Sequence, residues 1–301
     1  MNELTCKICR RRRPVYKRIT SGELLCRHCL YSSVVKQIRK AVNYYTIVHR
    51  GERALFIARP DRPLESAFAL QLLSRAVHDL DVEISVICYS SFIDCQKFTW
   101  LLEDLGIKAK VFEVWIPRDT AYTNLCFVEL IKLAEAIAHY LAYKYNFNTV
   151  LTPLCRDELT LLSLLGLLKV SKSVFSESLP VKLGDGIRIA RPFFYVISMD
   201  ILYLTYTSHS VARYINAIQP FVPRLDNVES ALARHSKDIL WTSTELMYSS
   251  AKSVEMLQSY IVGSAKRCRY CLAHSDAEVC DYCSHLQNLI EETLRVLNRQ
   301  H

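Results

Sequence analysis

Eight of the chain's twelve cysteines fall into four Cys-x-x-Cys pairs, Cys6/Cys9, Cys26/Cys29, Cys268/Cys271 and Cys280/Cys283, grouped two by two towards the ends of the sequence. A two-residue gap lets both sulfurs reach one ion, and four thiolates close a tetrahedral shell with no open position for catalysis. The first two pairs stand 16 residues apart, the spacing of two knuckles across a small ribbon; the last two stand 8 apart, enough for two tight turns to face one another. This pattern predicts two structural zinc ions per chain. A redox pair acts alone at a helix start, so pairs grouped in twos speak against thiol exchange. His28, His274 and His285 lie close enough in sequence to replace a thiolate. Cys88, Cys95, Cys126 and Cys155 are unpaired in sequence, sit in apolar surroundings and read as buried free thiols.

The second chemical signal is charge. Residues 1–40 hold eleven Lys and Arg against Glu3 and Glu23, a net of +9 in a chain whose total is +8, so the other 261 residues sum to −1. A basic excess confined to one finger suits a polyanion, and Arg10, Arg11, Arg12, Arg13, Lys17 and Arg18 are the predicted phosphate contacts, with Tyr16 beside them. Trp115 and Tyr122, near a predicted strand end, are candidate stacking platforms, and His139 and His209 candidate proton carriers; each also reads as ordinary packing or a hydrogen-bonded histidine.

Glycine is scarce, seven in 301 residues, with no pair closer than Gly184-Asp185-Gly186. Loops that cradle phosphate on backbone N–H groups need glycine, so a Walker loop, a dinucleotide fingerprint and a kinase-type lid are excluded. No 18-residue apolar run free of charge is present, so no membrane span is expected. The opening residues are basic without an apolar stretch behind them, which makes the cytoplasm the expected location.

Between the cysteine pairs, short apolar runs alternate with helical periods. Strands are predicted at 54–58, 83–89, 110–115, 149–152 and 188–190, and helices at 64–80, 92–105, 125–145 and 157–168. Such alternation gives an α/β fold, a parallel five-stranded sheet with helices on both faces and its ligand site at the C-terminal strand ends. The predicted organisation is a basic four-cysteine finger over 1–40, the core over 50–225, and a helical segment with the second finger over 226–301. The loop after the first strand, Arg59-Pro-Asp-Arg-Pro63, contains two prolines and no glycine, so an anion there would rest on the Arg59 and Arg62 side chains.

Paired cysteines at both ends, this element order and the segment Arg188-Ile-Ala-Arg-Pro192 before a helix resemble the two-zinc-finger tRNA 2-thiouridine synthetases, the TtuA-like branch of the PP-loop ATP pyrophosphatases, over nearly the whole chain. The resemblance implies a PP-loop-type (adenine nucleotide alpha hydrolase-like) core, tRNA as partner and ATP-dependent sulfur transfer as the family activity. In that family the first strand ends in a Ser-Gly-Gly-Lys-Asp-Ser loop that binds ATP. The matching Asp61-Arg-Pro-Leu-Glu-Ser66 keeps Ser66 and an acidic Glu65 and has neither glycine. The family's Gly-His-Asn-x-Asp-Asp stretch matches Pro153-Leu-Cys-Arg-Asp157-Glu158. Three core cysteines hold a four-iron cluster in the family. Here they correspond to Thr123, Cys126 and Gln219, and a cluster held by one thiolate is not expected.

The resulting reading is a tRNA-binding relative that kept fold and fingers and lost the chemistry. It has no catalytic residue and a vestigial nucleotide site at Arg59, Arg62, Ser66 and Asp157. The sequence speaks for zinc and against ATP and an iron–sulfur cluster. Candidate partners are structured RNA, an active paralogue or a second copy of the chain. Two alternatives stand beside it. One is an active ATP-dependent uridine thiolase with a rearranged site, in which Asp157 or Glu158 carries magnesium and Cys155 or Cys126 carries sulfur. The other is a zinc-finger nucleic-acid regulator, for which the large core has no use.

Overall fold

Two residues of strand on either side of a turn, β1 (Tyr16–Lys17) and β2 (Leu24–Leu25), pair antiparallel and place the first two cysteine pairs side by side. The computed structural model describes residues 5–117, 124–242, 244–263 and 265–299. Immediately after Cys26 the chain enters α1 (Arg27–Tyr44), whose apolar stripe of Val34, Ile38, Ala41 and Val42 is buried against the core, so residue 40 falls inside this helix.

The core then alternates as expected: β3 (Arg53–Ile57), α2 (Pro63–Ala76), β4 (Glu83–Tyr89), α3 (Cys95–Asp104), β5 (Val111–Val114), α4 (Phe127–Lys144), β6 (Thr149–Leu151) and α5 (Arg156–Leu168). Local chemistry fixes the boundaries. Pro63 opens α2, where its missing N–H costs nothing. Asp94 caps α3, accepting the Lys97 N–H at 3.1 Å, and Gly106 leaves the helix at φ +73°. After the short α6 (Lys172–Phe175) come β7 (Val181–Gly184) and β8 (Ile187–Ala190). They are followed by α7 (Ser198–Tyr206), α8 (His209–Ala212), α9 (Asn227–Thr242), α10 (Thr244–Ile261), β9 (Lys266–Arg267), β10 (His274–Ser275), α11 (Asp281–His285) and α12 (Gln287–Arg299).

The sheet runs β5-β4-β3-β6-β8-β7, and its first five strands are parallel. The five expected strands are all present. The sixth, β7, is an addition, antiparallel to β8 at the sheet edge. A charged Lys182 interrupts its apolar run, which hid it. The signal that marks it is the Asp185-Gly186 turn, whose residues both have positive φ (53° and 75°), as a tight hairpin requires. Strand order reverses between β3 and β6, so the crevice beyond their C-terminal ends is the switch point.

Each finger covers one face of the sheet. Cys6, Cys26 and Cys29 are buried with α1, α2 and α3 on one side; Cys268, Cys271, Cys280 and Cys283 are buried with α4 and α12 on the other. Cys88 and Cys95 correct the sequence reading, since they form a disulfide rather than two free thiols. The turn between β4 and α3 folds the helix start back over the strand end and brings their Cα atoms to 5.8 Å, within bridging distance. Cys126 and Cys155 are free. Among the described residues, no helix is long and apolar enough to cross a membrane.

Candidate metal centres and the switch-point site

Both cysteine quartets assemble. In each, the four sulfur atoms lie within 4.8 Å of one another, and seven of the eight residues are buried. The Cys9–Cys26 and Cys271–Cys280 sulfurs are each 3.9 Å apart, close to the ~3.8 Å edge of a tetrahedron with ~2.3 Å metal–sulfur bonds. In the first quartet burial is outweighed at Cys6 by hydrogen bonds from the backbone N–H groups of Cys26, Cys9 and Ile8, which lower its thiol to about 6, whereas burial and the neighbouring sulfurs push Cys29 up to about 12. Two of the three candidate histidines are engaged elsewhere: His274 Nδ1 lies 2.9 Å from Ser176 Oγ, and His285 Nδ1 lies 3.0 Å from Glu129 Oε1.

The first quartet is clamped to the core. Arg18 was read as a phosphate contact with Arg10–Arg13, yet its side chain is buried and bonded to Asp200 of α7, Nε to Oδ2 at 3.0 Å and Nη2 to Oδ2 at 2.9 Å. Tyr16 donates to the same carboxylate at 2.9 Å and packs its ring 4.7 Å from Tyr203. These two residues anchor the finger, the buried Arg18 guanidinium being committed to Asp200 and Ser33. Arg10, Arg11, Arg12, Arg13 and Lys17 are exposed.

The second quartet rests on a set of buried charges that the sequence reading missed. Lys132 and Glu135 of α4 meet Glu177, Lys182 of β7 and Arg191, all fully buried. Lys132 bonds to Glu177, donates to the Ser173 carbonyl at 2.8 Å and reaches Cys271 Sγ at 3.7 Å. Lys182 donates to Glu177 Oε2 at 2.7 Å and to the Cys271 carbonyl at 2.9 Å, and bonds to Glu135. Arg191 closes the set on Glu135 Oε1 at 2.6 Å and Glu177 Oε2 at 2.8 Å. Burial alone would raise Glu177, but three cations lower it to about 2. The set carries three positive and two negative charges, and the surplus positive charge faces the sulfurs. Lys132 and Glu135 inside an otherwise apolar helical stripe were the available sequence signal.

At the switch point the four predicted nucleotide residues converge. Arg59, leaving β3, is held between two carboxylates: its guanidinium bonds Asp61 at 2.6 and 3.1 Å and both oxygens of Glu158 at 2.8 Å. Arg62 lies 3.5 Å from Glu158 as well. Ser66 Oγ accepts the Arg59 N–H at 3.1 Å, while Asp157 accepts the Ser198 N–H at 2.9 Å. Burial raises Glu158, but Arg59 and Arg62 outweigh it and hold the carboxyl below its ordinary value; burial and Glu158 together push Asp157 up. The Arg59 charge that could meet phosphate is thus satisfied internally, while Arg62, about one-third exposed, is drawn to the same Glu158. The space left among Arg59, Arg62, Ser66, Cys155 and Glu158 is about 20 Å³, room for about one water.

Of the positions that the resemblance assigns to a cluster, Cys126 stands next to Phe127, whose ring lies 5.7 Å from the Arg59 guanidinium. Cys126 caps α4 in a reciprocal pair with Glu129, and residues 221–224 cross between the Pro60 and Leu125 carbonyls, to which the Phe221 and Arg224 N–H groups donate at 2.9 Å each. Thr123 and Tyr122 lie outside the described residues. Burial raises both the Cys126 and Cys155 thiols far above the ordinary value, which keeps them protonated and weakly nucleophilic. His139 Nδ1 bonds the Tyr270 carbonyl at 3.0 Å, and Trp115 is exposed.

No family profile and no curated protein matches the sequence. Among solved structures the chain is similar to the U34-tRNA thiolase NcsA from Methanococcus maripaludis with its 4Fe–4S cluster, with a TM-score of 0.71 at 15% identity over 96% of this chain and 97% of that one. A glutamine-dependent NAD+ synthetase from Acinetobacter baumannii in complex with ADP aligns at TM-score 0.36 and 14% identity, over 87% of this chain and 50% of that one, too low to carry an argument. The chain therefore has the fold of the thiolase, an α/β core with a four-cysteine group that could hold a metal ion towards each end.

Proposed function

We propose that the protein binds tRNA on a thiolase fold whose nucleotide site has closed, and that both cysteine quartets hold zinc. One observation carries the reading: the Arg59 guanidinium, placed where a phosphate would have to enter, is occupied by Asp61 and Glu158, leaving about 20 Å³. A triphosphate brought there would meet two carboxylates before it met a free donor. The exposed Arg10–Arg13 run supplies the sequence-independent attraction to an RNA backbone. The 3.9 Å sulfur separations support one ion per quartet rather than a cluster, which would push its ligands further apart. The test is anaerobic incubation of the pure protein with ATP, magnesium, a sulfur donor and unmodified tRNA. The expected result is retained tRNA and neither AMP nor thiolated uridine. Production of both, lost in Asp157→Asn or Cys126→Ser, makes the protein an active thiolase with a rearranged site.

A further inference from the structure

The first turn of α5 separates two cavities of very different size. Cys155 and Glu158 line the 20 Å³ crevice; Arg156, between them in sequence, lines a cavity of about 440 Å³ on the other side. The larger volume lies within the range of small-ligand sites. Its wall is cationic: Lys40 of α1, Arg156 and Lys252 of α10 face one carboxylate, Glu255, which is already bonded by Tyr45. Its aromatic members are Tyr44 and Tyr195. Tyr195 is fixed, with its hydroxyl donating to Tyr45 at 3.0 Å and Lys40 and Arg156 at 4.7 and 5.3 Å from its ring. Tyr44 meets Tyr45 edge-on at 4.9 Å and leaves two-thirds of its surface exposed.

We propose that this cavity holds one nucleotide of a bound RNA strand, its base stacked on Tyr44 and its phosphate between Lys40 and Lys252. A base has an apolar face and a phosphate two hard acceptors, and the cavity offers a ring and a net positive charge side by side. The occupant belongs to a strand because the positive charge continues beyond the cavity. Lys36, Lys40 and Tyr44 follow one another at i, i+4 spacing along α1, a helix with no acidic residue that starts at the basic finger. A free nucleotide would use only the end of that track.

The inference rests on the RNA-binding reading, and the experiment separates the two. Fluorescence anisotropy measures affinity for tRNA and for a single-stranded oligouridylate as salt is varied, in the wild type, in Lys40→Ala/Lys252→Ala, in Tyr44→Ala and in a variant with Arg10–Arg13 changed to alanine. The double lysine variant should lose about 0.7 from the oligouridylate log–log salt slope, the share of the one phosphate the two lysines hold. Tyr44→Ala should weaken oligouridylate binding about tenfold, and Tyr44→Phe should restore it. All seven positions altered, three in the cavity and four in the finger, are exposed, and circular dichroism checks folding. If the finger variant loses RNA while the cavity variants keep wild-type affinity and slope, the cavity assignment is wrong and the RNA reading stands. If the wild type binds neither RNA, both fail. Competition by free UMP at concentrations as low as those of the oligouridylate would overturn the strand as the source.

Discussion

The ammonium of Lys132, wholly buried in α4, lies 3.7 Å from the sulfur of Cys271 and is bonded on its other side to Glu177. The second cysteine quartet is therefore not a detachable appendage: it sits against the buried charges of the core. Changing Lys132→Met removes one partner from a buried set and should cost about 3–5 kcal/mol. Urea unfolding measures the loss, and metal analysis should show that the second quartet's ion is lost more readily while the first is retained. Equal retention at both quartets would show that Lys132 serves only the core.

Asp200 ties the first finger to α7 through Arg18 and Tyr16. Arg18→Ala leaves a buried carboxylate without its cation, again at about 3–5 kcal/mol, whereas the double change with Asp200→Asn should cost less than the two single losses together. Limited proteolysis should release the finger from the single variant first. Changing Cys6→Ser should remove one metal ion of two and leave the sheet intact.

Acid sensitivity should trace to Glu158. Its folded-state pKa lies below the unfolded value because Arg59 and Arg62 favour the carboxylate. The stability it contributes is therefore present above the unfolded pKa of about 4.3 and is lost as pH falls through that value towards the folded one. Comparing Glu158→Gln with the wild type by urea unfolding between pH 7 and pH 3 should show the largest gap at neutral pH and convergence in acid. A gap that is constant across this range would mean that the carboxylate's ionisation does not stabilise the fold.

Two glycines should respond differently to alanine. At Gly166 an added Cβ would lie 2.5 Å from the Phe175 backbone nitrogen, where neither α5 nor α6 can yield, so overpacking of about 1–3 kcal/mol is expected. At Gly184 the nearest atom, 2.6 Å away, is the tip of the Leu272 side chain, which can rotate, so a smaller loss is expected. Thermal unfolding of the two variants ranks them.

The metal groups were legible because ligand spacing is local: two residues between cysteines suffice to aim both sulfurs at one point. The five parallel strands were legible through their apolar runs, and the crevice residues through the strand ends on which they sit. Arg18 was misread because it stands in a basic stretch and only folding brings Asp200, 182 residues away, beneath it. The buried charge set was hidden for the same reason, since Lys132 and Glu135 of α4 find their partners Glu177, Lys182 and Arg191 more than 40 residues away. The disulfide depended on how the β4–α3 turn bends, which spacing alone does not specify.

Cys26 precedes α1, Cys29 lies in its first turn, and the helix packs its apolar stripe on the core along its length. Eighteen residues at about 1.5 Å each make a strut of about 27 Å without a hinge. The gap between finger and Tyr44 is consequently set by the covalent chain. An RNA that engaged both would have to present its phosphates at that separation, so a fixed strut of this length would sort such partners by span before any base was touched.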